Sequence, residues 1–152
     1  MFNISTDAEE WFKHLREQSP FKEGAPSMHF YYLSLLVGFY SGKPKSLQNG
    51  KEFTKNWTNT YDPFKNKIVA LFLDTELSRY SIDVKNKDEV KEHLKKYIVS
   101  NDSMVLSKDG MDALNDYSYS GYLKLRADIG DPPKSPTAFL KNYADILKKI
   151  KN

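Results

Sequence analysis

An apolar run in the first third of the chain limits the fold more than any other feature. Residues 29–42 read HFYYLSLLVGFYSG, and the eleven-residue centre, FYYLSLLVGFY, carries no charge. A helix that spans a membrane needs about 20 apolar residues, so this run is too short to cross one. It follows Pro26-Ser27 and ends at Gly42, the usual order of helix start and stop signals. We predict a buried helix over residues 28–41 and no contact with a membrane.

The same run is apolar on every side of a helix. Both helical faces carry aromatic or aliphatic side chains, so neighbouring elements must cover the helix on most sides. Ser34 and Gly38 lie four residues apart and therefore on one stripe, where small side chains allow another backbone to approach closely. The pattern predicts a central helix whose tightest crossing is at these two residues.

Helix start and stop signals recur in the rest of the chain. The sequence predicts five further helices, beginning at Thr6, Asp62, Lys87, Ser107 and Pro136. The helix from Lys87 is expected to reach residue 99, and the helix from Ser107 is expected to bend or break around Ser120-Gly121. No stretch alternates convincingly with a period of two, so strands are expected to be minor. We predict an all-α or mainly α fold: one compact domain (residues 1–152) with about six helices around the central helix.

Length and composition agree with an ordinary folded protein. The chain has 152 residues, of which 39% are hydrophobic, and this length is enough to bury a core without cross-links. It contains no cysteine, which fits a reducing compartment. The first residues, MFNISTDAEEW, are acidic where a secretion signal needs a basic head and an apolar body. We therefore expect a cytoplasmic protein.

Positive charge is concentrated in one segment. Residues 43–67 hold six basic and two acidic side chains, a net charge of +4, whereas the whole chain carries +3. The part over residues 42–61 is predicted to be a long loop, and loops of that length are usually functional or mobile. Lysines with interleaved aromatic rings are typical of surfaces that bind phosphates and bases. The candidate nucleic-acid-binding residues are Lys43, Lys45, Lys51, Lys55 and Trp57.

Two interpretations of this loop remain open. In the first, the lysines contact phosphates without strong sequence preference, because the loop has no arginine to read bases or phosphates with two parallel hydrogen bonds. In the second, the lysines are simply solvated, and the rings of Phe53 and Trp57 fold back onto the core as anchors.

Catalytic patterns are absent from the sequence. The three histidines, His14, His29 and His93, fall on separate predicted helices and lack the spacing of metal ligands. The glycines are isolated and form no phosphate-binding loop. We predict a protein that is not an enzyme and that holds neither a metal nor a cofactor.

Three tyrosines near the chain's last third are candidates for binding a protein partner. Tyr117, Tyr119 and Tyr122 fall on more than one face of the predicted helix, so all three cannot enter one core. Exposed tyrosines are common in protein interfaces because they combine apolar area with a polar tip. The alternative is an aromatic core whose hydroxyl groups reach the surface.

Three segments carry a resemblance to a known group of proteins. HFYYLSLLVGFYSGK, KIVALFLDTEL and LSKDGMDALNDYSYSGYLKL occur in that order. Together they resemble small helical proteins that accompany bacterial DNA-modification and anti-phage defence systems, especially the Dnd phosphorothioation-associated type. The resemblance implies a non-catalytic accessory or scaffolding subunit that docks on a larger nuclease, ATPase or SMC-like partner. The other function that stays open is a stand-alone nucleic-acid-binding module using residues 43–67.

Overall fold

The chain folds mainly into helices, as its sequence predicts. The computed structural model describes residues 1–100 and 103–151. The helices of this part are α1 (Thr6–Arg16), α2 (Pro26–Ser41), α3 (Lys65–Arg79), α4 (Lys87–Leu94), α5 (Lys108–Ile129) and α6 (Pro136–Lys151), with a 3₁₀ turn at Asp62–Phe64. Two antiparallel strand pairs accompany them: β1 (Phe2–Ser5) with β2 (Gly50–Thr54), and β3 (Ile98–Ser100) with β4 (Ser103–Leu106). No helix in these residues is long and apolar enough to cross a membrane.

Helix α2 lies at the centre because its two faces belong to two different buried clusters. One cluster is built around Phe12, Phe30, Val37, Tyr122 and Phe139. The other is built around Tyr31, Phe39, Phe72, Tyr97 and Tyr117. A helix between two clusters has no polar face, which explains the unbroken apolar run. The expectation that residues 28–41 are nearly inaccessible is wrong at the carboxyl end, where the Tyr40 side chain is 44% exposed.

The closest helix crossing joins α2 to α5 and confirms the predicted contact at Ser34 and Gly38. A Cβ atom added at Gly38 would overlap the backbone carbonyl oxygen of Tyr117. A Cβ atom added at Gly121 would overlap the backbone carbonyl oxygen of Ser34. The hydroxyl of Ser118 donates to the backbone oxygen of Tyr31 at 3.0 Å across the same crossing.

The break predicted as one possibility at Ser120-Gly121 does not occur, since α5 is one continuous helix from Lys108 to Ile129. A glycine inside a helix costs about 1 kcal/mol relative to alanine. Here Gly121 allows the close approach of α2, and the hydroxyl of Ser120 donates to the backbone oxygen of Lys43 at 2.6 Å. The glycine is thus a packing position, and the dense contacts across the crossing offset its low helix propensity.

The predicted loop over residues 42–61 is partly a strand. Gly50–Thr54 forms β2, which pairs with β1, and β1 in turn lies against α5. Asn115 of α5 fixes β1: its side-chain oxygen accepts from the backbone N–H of Asn3 at 3.2 Å and from the Tyr31 hydroxyl at 2.7 Å. The β2 sequence, GKEFT, has a single large apolar residue and therefore shows no alternation.

The surface helix predicted over residues 87–99 ends at Leu94, because Tyr97 turns into the core. The Tyr97 hydroxyl donates to the buried carboxylate of Glu76 at 2.7 Å. The Tyr117 hydroxyl donates to the other carboxylate oxygen at 2.7 Å, and Arg79 pairs with the same oxygen at 3.2 Å. This network joins α3 to α5 and to the segment that leads into β3.

Candidate nucleic-acid interface

The pairing of β1 with β2 places the end of the basic segment beside α3. Phe53 of β2 packs into the core, with its ring centroid 5.5 Å from that of Tyr31. After β2 the chain turns, and the Thr54 hydroxyl donates to the backbone oxygen of Asn56 at 2.9 Å. This turn brings Lys55, Asn56 and Trp57 to the first turn of α3.

A groove of about 550 Å³ opens at this place. We call it the Trp57 groove. Its walls come from β1, the turn after β2, the first turn of α3, strand β4 and the start of α5. The lining residues are Met1, Phe2, Lys55, Asn56, Trp57, Lys65, Asn66, Val105, Leu106 and Met111. This volume is in the usual range for small-ligand sites.

The ring of Trp57 is the largest aromatic surface in the groove. It is half-buried and meets the ring of Phe2 edge-on, with centroids 4.9 Å apart and planes at 72°. Phe2 is itself buried, at 1% exposure, so it holds Trp57 from the core side. Trp57 lines the groove and is only half-buried, so part of its side chain is open to the groove while the buried Phe2 ring packs against it. Of the two interpretations of the loop, the anchor role holds in part for both rings, since Phe53 and Trp57 are each half-buried against the second cluster.

The polar lining of the groove is cationic. Lys55 and Lys65 are both exposed, and Asn56 and Asn66 add neutral amide groups. The described lining contains no carboxylate. The Lys65 ammonium lies 3.3 Å from Asp62, but an exposed pair of this kind contributes little and is readily exchanged. The groove therefore combines positive charge, amides that can donate and accept, and one aromatic face.

The other lysine candidates lie elsewhere on the surface. Residues 43–47 run along α5, since the backbone N–H of Lys45 donates to the backbone oxygen of Asp116 at 3.3 Å. Lys51 lies in β2 opposite Ile4. All three side chains, those of Lys43, Lys45 and Lys51, are exposed, but none lines the Trp57 groove. Only Lys55 and Trp57 of the predicted set are brought together.

Two of the three tyrosine candidates are buried, which corrects their predicted partner-binding role. Tyr117 is 0% exposed and Tyr122 is 2% exposed, so neither ring is available to a partner in this fold. Burial is also the main reason that the pKa of each hydroxyl is raised. Tyr119 is half-buried, with its ring centroid 6.1 Å from that of Tyr122. The alternative of an aromatic core therefore holds for the rings of Tyr117 and Tyr122, but the Tyr117 hydroxyl does not reach the surface, because it donates to the buried carboxylate of Glu76.

The ring of His29 is held by two structural contacts. The Nε2 atom of His29 lies 2.6 Å from the backbone oxygen of Glu23, and its Nδ1 atom lies 2.7 Å from the Tyr61 hydroxyl. A carbonyl oxygen only accepts, so Nε2 carries a proton and donates it. Among residues 1–100 and 103–151, no group of three His, Cys, Asp or Glu side chains is placed to hold a metal ion.

Sequence reasoning missed Lys65 and Asn66. Both lie within the basic segment, but the groove forms only because β2 pairs with β1 and returns the chain to α3. Comparison of the chain with protein-family models, with curated proteins and with solved structures found no match. The functional assignment therefore rests on the residues of the groove itself.

Proposed function

We propose that the chain is a non-catalytic module that binds single-stranded nucleic acid in the Trp57 groove. The observation that carries the proposal is that one groove is lined by the half-buried ring of Trp57 and by two lysines, Lys55 and Lys65, in a described lining without a carboxylate. A base stacks on the ring, and the lysines attract the phosphates on either side of it. This arrangement is typical of proteins that bind single strands.

Single strands fit the groove better than duplexes. A base must leave the helical stack before its face can meet Trp57, and in a single strand that step costs little. Lysine presents a point charge and reads no base, and the amides of Asn56 and Asn66 can each donate or accept. We therefore expect binding with weak sequence preference.

The absence of catalysis is part of the proposal. The described lining of the groove has no histidine, carboxylate, serine, threonine or tyrosine. These are the side chains that most often act as a general base or an oxygen nucleophile. The lining thus supports binding of the strand, and the amines of Lys55 and Lys65 are assigned to phosphate contacts.

The predicted role as an accessory subunit of an anti-phage defence complex stays a prediction. The surface expected for docking on a nuclease, ATPase or SMC-like partner relied on Tyr117, Tyr119 and Tyr122. Tyr117 and Tyr122 are buried, and Tyr119 is half-buried. A module that binds single strands is compatible with such a complex, but no observation of the fold selects one.

Fluorescence anisotropy tests the proposal with a labelled single strand and the matching duplex. We expect the protein to bind the single strand more tightly. Trp57→Ala is expected to weaken binding of the single strand by about 1 to 3 kcal/mol, the usual contribution of one stacked base. The same substitution should change duplex binding much less.

The matched control moves the substitutions to lysines outside the groove. Lys55→Gln/Lys65→Gln should weaken binding, whereas Lys43→Gln/Lys45→Gln removes the same charge and should weaken it less. Equal losses in the two double variants would show that charge alone, without the groove, attracts the strand. No binding by the parent protein would reject the proposal.

A further inference from the structure

Helix α3 carries an exposed stripe on the side opposite the core. The core-facing residues of α3 are Ile68, Val69, Phe72, Leu73, Glu76 and Leu77. Opposite them, at alternating steps of four and three, lie Lys67, Leu71, Asp74 and Ser78, and the exposed Phe64 of the 3₁₀ turn precedes them by a further step of three. We call these five residues the α3 stripe. The side chains of Phe64 and Leu71 are 51% and 47% exposed, which is high for residues of this size.

A shallow groove runs beside the carboxyl-terminal half of the stripe. It measures about 250 Å³ and lies between α2 and α3. The lining residues are Leu36, Phe39, Tyr40, Leu71, Asp74, Thr75 and Ser78. Phe64, by contrast, lies at the amino-terminal end of the stripe, outside the groove. One end of the stripe therefore carries a protruding ring, and the other end borders an apolar depression.

We propose that this face binds a second copy of the chain, with the two α3 helices antiparallel around a two-fold axis at Leu71. In that arrangement the two Leu71 side chains meet at the axis. Phe64 of one copy lies over Ser78 of the other and fills the apolar groove there. A two-fold axis generates this contact twice, so each copy supplies one ring and one groove.

The charges of the stripe complement each other in this arrangement. Lys67 and Asp74 lie on opposite sides of Leu71, about 10 Å apart along one helix, so they do not pair within a copy. Both are exposed, and neither takes part in an ion pair within residues 1–100 and 103–151. The antiparallel copy places Lys67 beside Asp74 of the other copy, again twice. A parallel copy in register would instead place lysine against lysine.

The interface is small. From Phe64 to Ser78 the stripe spans about 21 Å, with part of α2 beside it. We therefore expect reversible association in the micromolar range, as is common for interfaces at the low end of the usual size. Lys65 and Asn66 are not stripe residues, so no residue belongs to both the α3 stripe and the lining of the Trp57 groove. The inference does not depend on the proposed function.

Charge reversal tests the geometry. Lys67→Glu leaves only acidic residues at the two charged positions, and Asp74→Lys leaves only lysines. Each variant alone makes both symmetry-related pairs repulsive, so its self-association should weaken by roughly tenfold or more. An equimolar mixture of the two variants pairs opposite charges at both positions and should associate again.

Analytical ultracentrifugation over a wide concentration range gives the readout. The parent is expected to shift from the chain mass of 17.6 kDa toward twice that value, and Phe64→Ala should abolish the shift. Lys141→Glu and Asp131→Lys, at exposed positions outside the stripe, are the matched controls and should behave like the parent. A parent that stays monomeric, a dimer indifferent to the stripe variants, or a mixture that fails to associate would each overturn the proposal.

Discussion

The α-carbon of Gly38 faces the backbone carbonyl of Tyr117 so closely that a Cβ atom on Gly38 would overlap the carbonyl oxygen. The neighbour is backbone of the central crossing, so it cannot rotate away as a side chain would. We expect Gly38→Leu to destabilise the fold at the upper end of the usual range for overpacking, about 1 to 3 kcal/mol. Urea unfolding followed by circular dichroism measures the change.

The control for this prediction is Ala127→Leu, which places the same leucine side chain at an exposed position of α5. It should leave the unfolding midpoint nearly unchanged. An unfolding free energy of Gly38→Leu equal to that of the parent would contradict the close contact between α2 and α5.

The buried carboxylate of Glu76 is expected to be a second point of high sensitivity. It accepts from the hydroxyls of Tyr97 and Tyr117, each at 2.7 Å. Glu76→Ala leaves both hydroxyls without this partner, and each stranded polar group costs roughly 1 to 3 kcal/mol. We therefore expect a loss of about 3 kcal/mol in unfolding free energy, against little change for Glu89→Ala at an exposed position. A loss no larger than that of the exposed control would show that the network contributes nothing.

Alkaline stability should depend on Tyr61. Burial is the main cause that raises the pKa of its hydroxyl to about 12, with a smaller contribution from Tyr32. The folded-state pKa lies above the value of 10.0 expected in the unfolded chain, so folding favours the protonated phenol. The resulting stability is complete below pH about 10 and is lost as the pH rises through about 12.

Tyr61→Phe removes this contribution. The fall in unfolding free energy over that alkaline range should be shallower in the variant than in the parent, as measured by urea midpoints at several pH values. It should not disappear, since burial also raises the pKa values of Tyr97 and Tyr143. Identical slopes in the two proteins would contradict the prediction.

Helical elements could be predicted from the sequence because their signals are local. The apolar run identified α2, and the spacing of Ser34 and Gly38 predicted its tightest crossing, for which the structure shows α5 as the partner helix. The break expected at Gly121 does not occur. Helix propensity depends on local sequence only, whereas this glycine is explained by a long-range contact, the close approach of α2. A long-range contact also accounts for the end of α4 at Leu94, earlier than the helical pattern indicated: Tyr97 turns into the core, where its hydroxyl donates to Glu76.

The candidate site could be predicted only in part. Lys55 and Trp57 stood out through charge and aromatic content, but the groove also needs the pairing of β1 with β2. That pairing is fixed by Asn115 and by the burial of Phe2. Both residues lie outside β2, so the β2 sequence, GKEFT, contains no signal for the pairing. Tyr117 and Tyr122 were misjudged because α5 contacts apolar neighbours on more than one side, so both rings are buried.

The salt dependence of binding should separate the lysines into two groups. Each phosphate contact on a single strand contributes about 0.7 to the slope of log affinity against log salt concentration. Lys55→Gln and Lys65→Gln should each flatten the slope by about that amount. Lys43→Gln, outside the groove, should leave it nearly unchanged. Equal effects at all three positions would indicate diffuse attraction without a defined site.

Tryptophan fluorescence tests the central claim, stacking of a base on Trp57, most directly. The chain has two tryptophans, and Trp11 is 4% exposed, with its indole N–H donating to the backbone oxygen of Gly130 at 3.1 Å. Only Trp57 is open to a ligand. Titration with a short single-stranded oligonucleotide is therefore predicted to quench the emission saturably in the parent and not in Trp57→Phe. Emission that stays unchanged at saturating oligonucleotide, or quenching that persists in Trp57→Phe, would contradict the account.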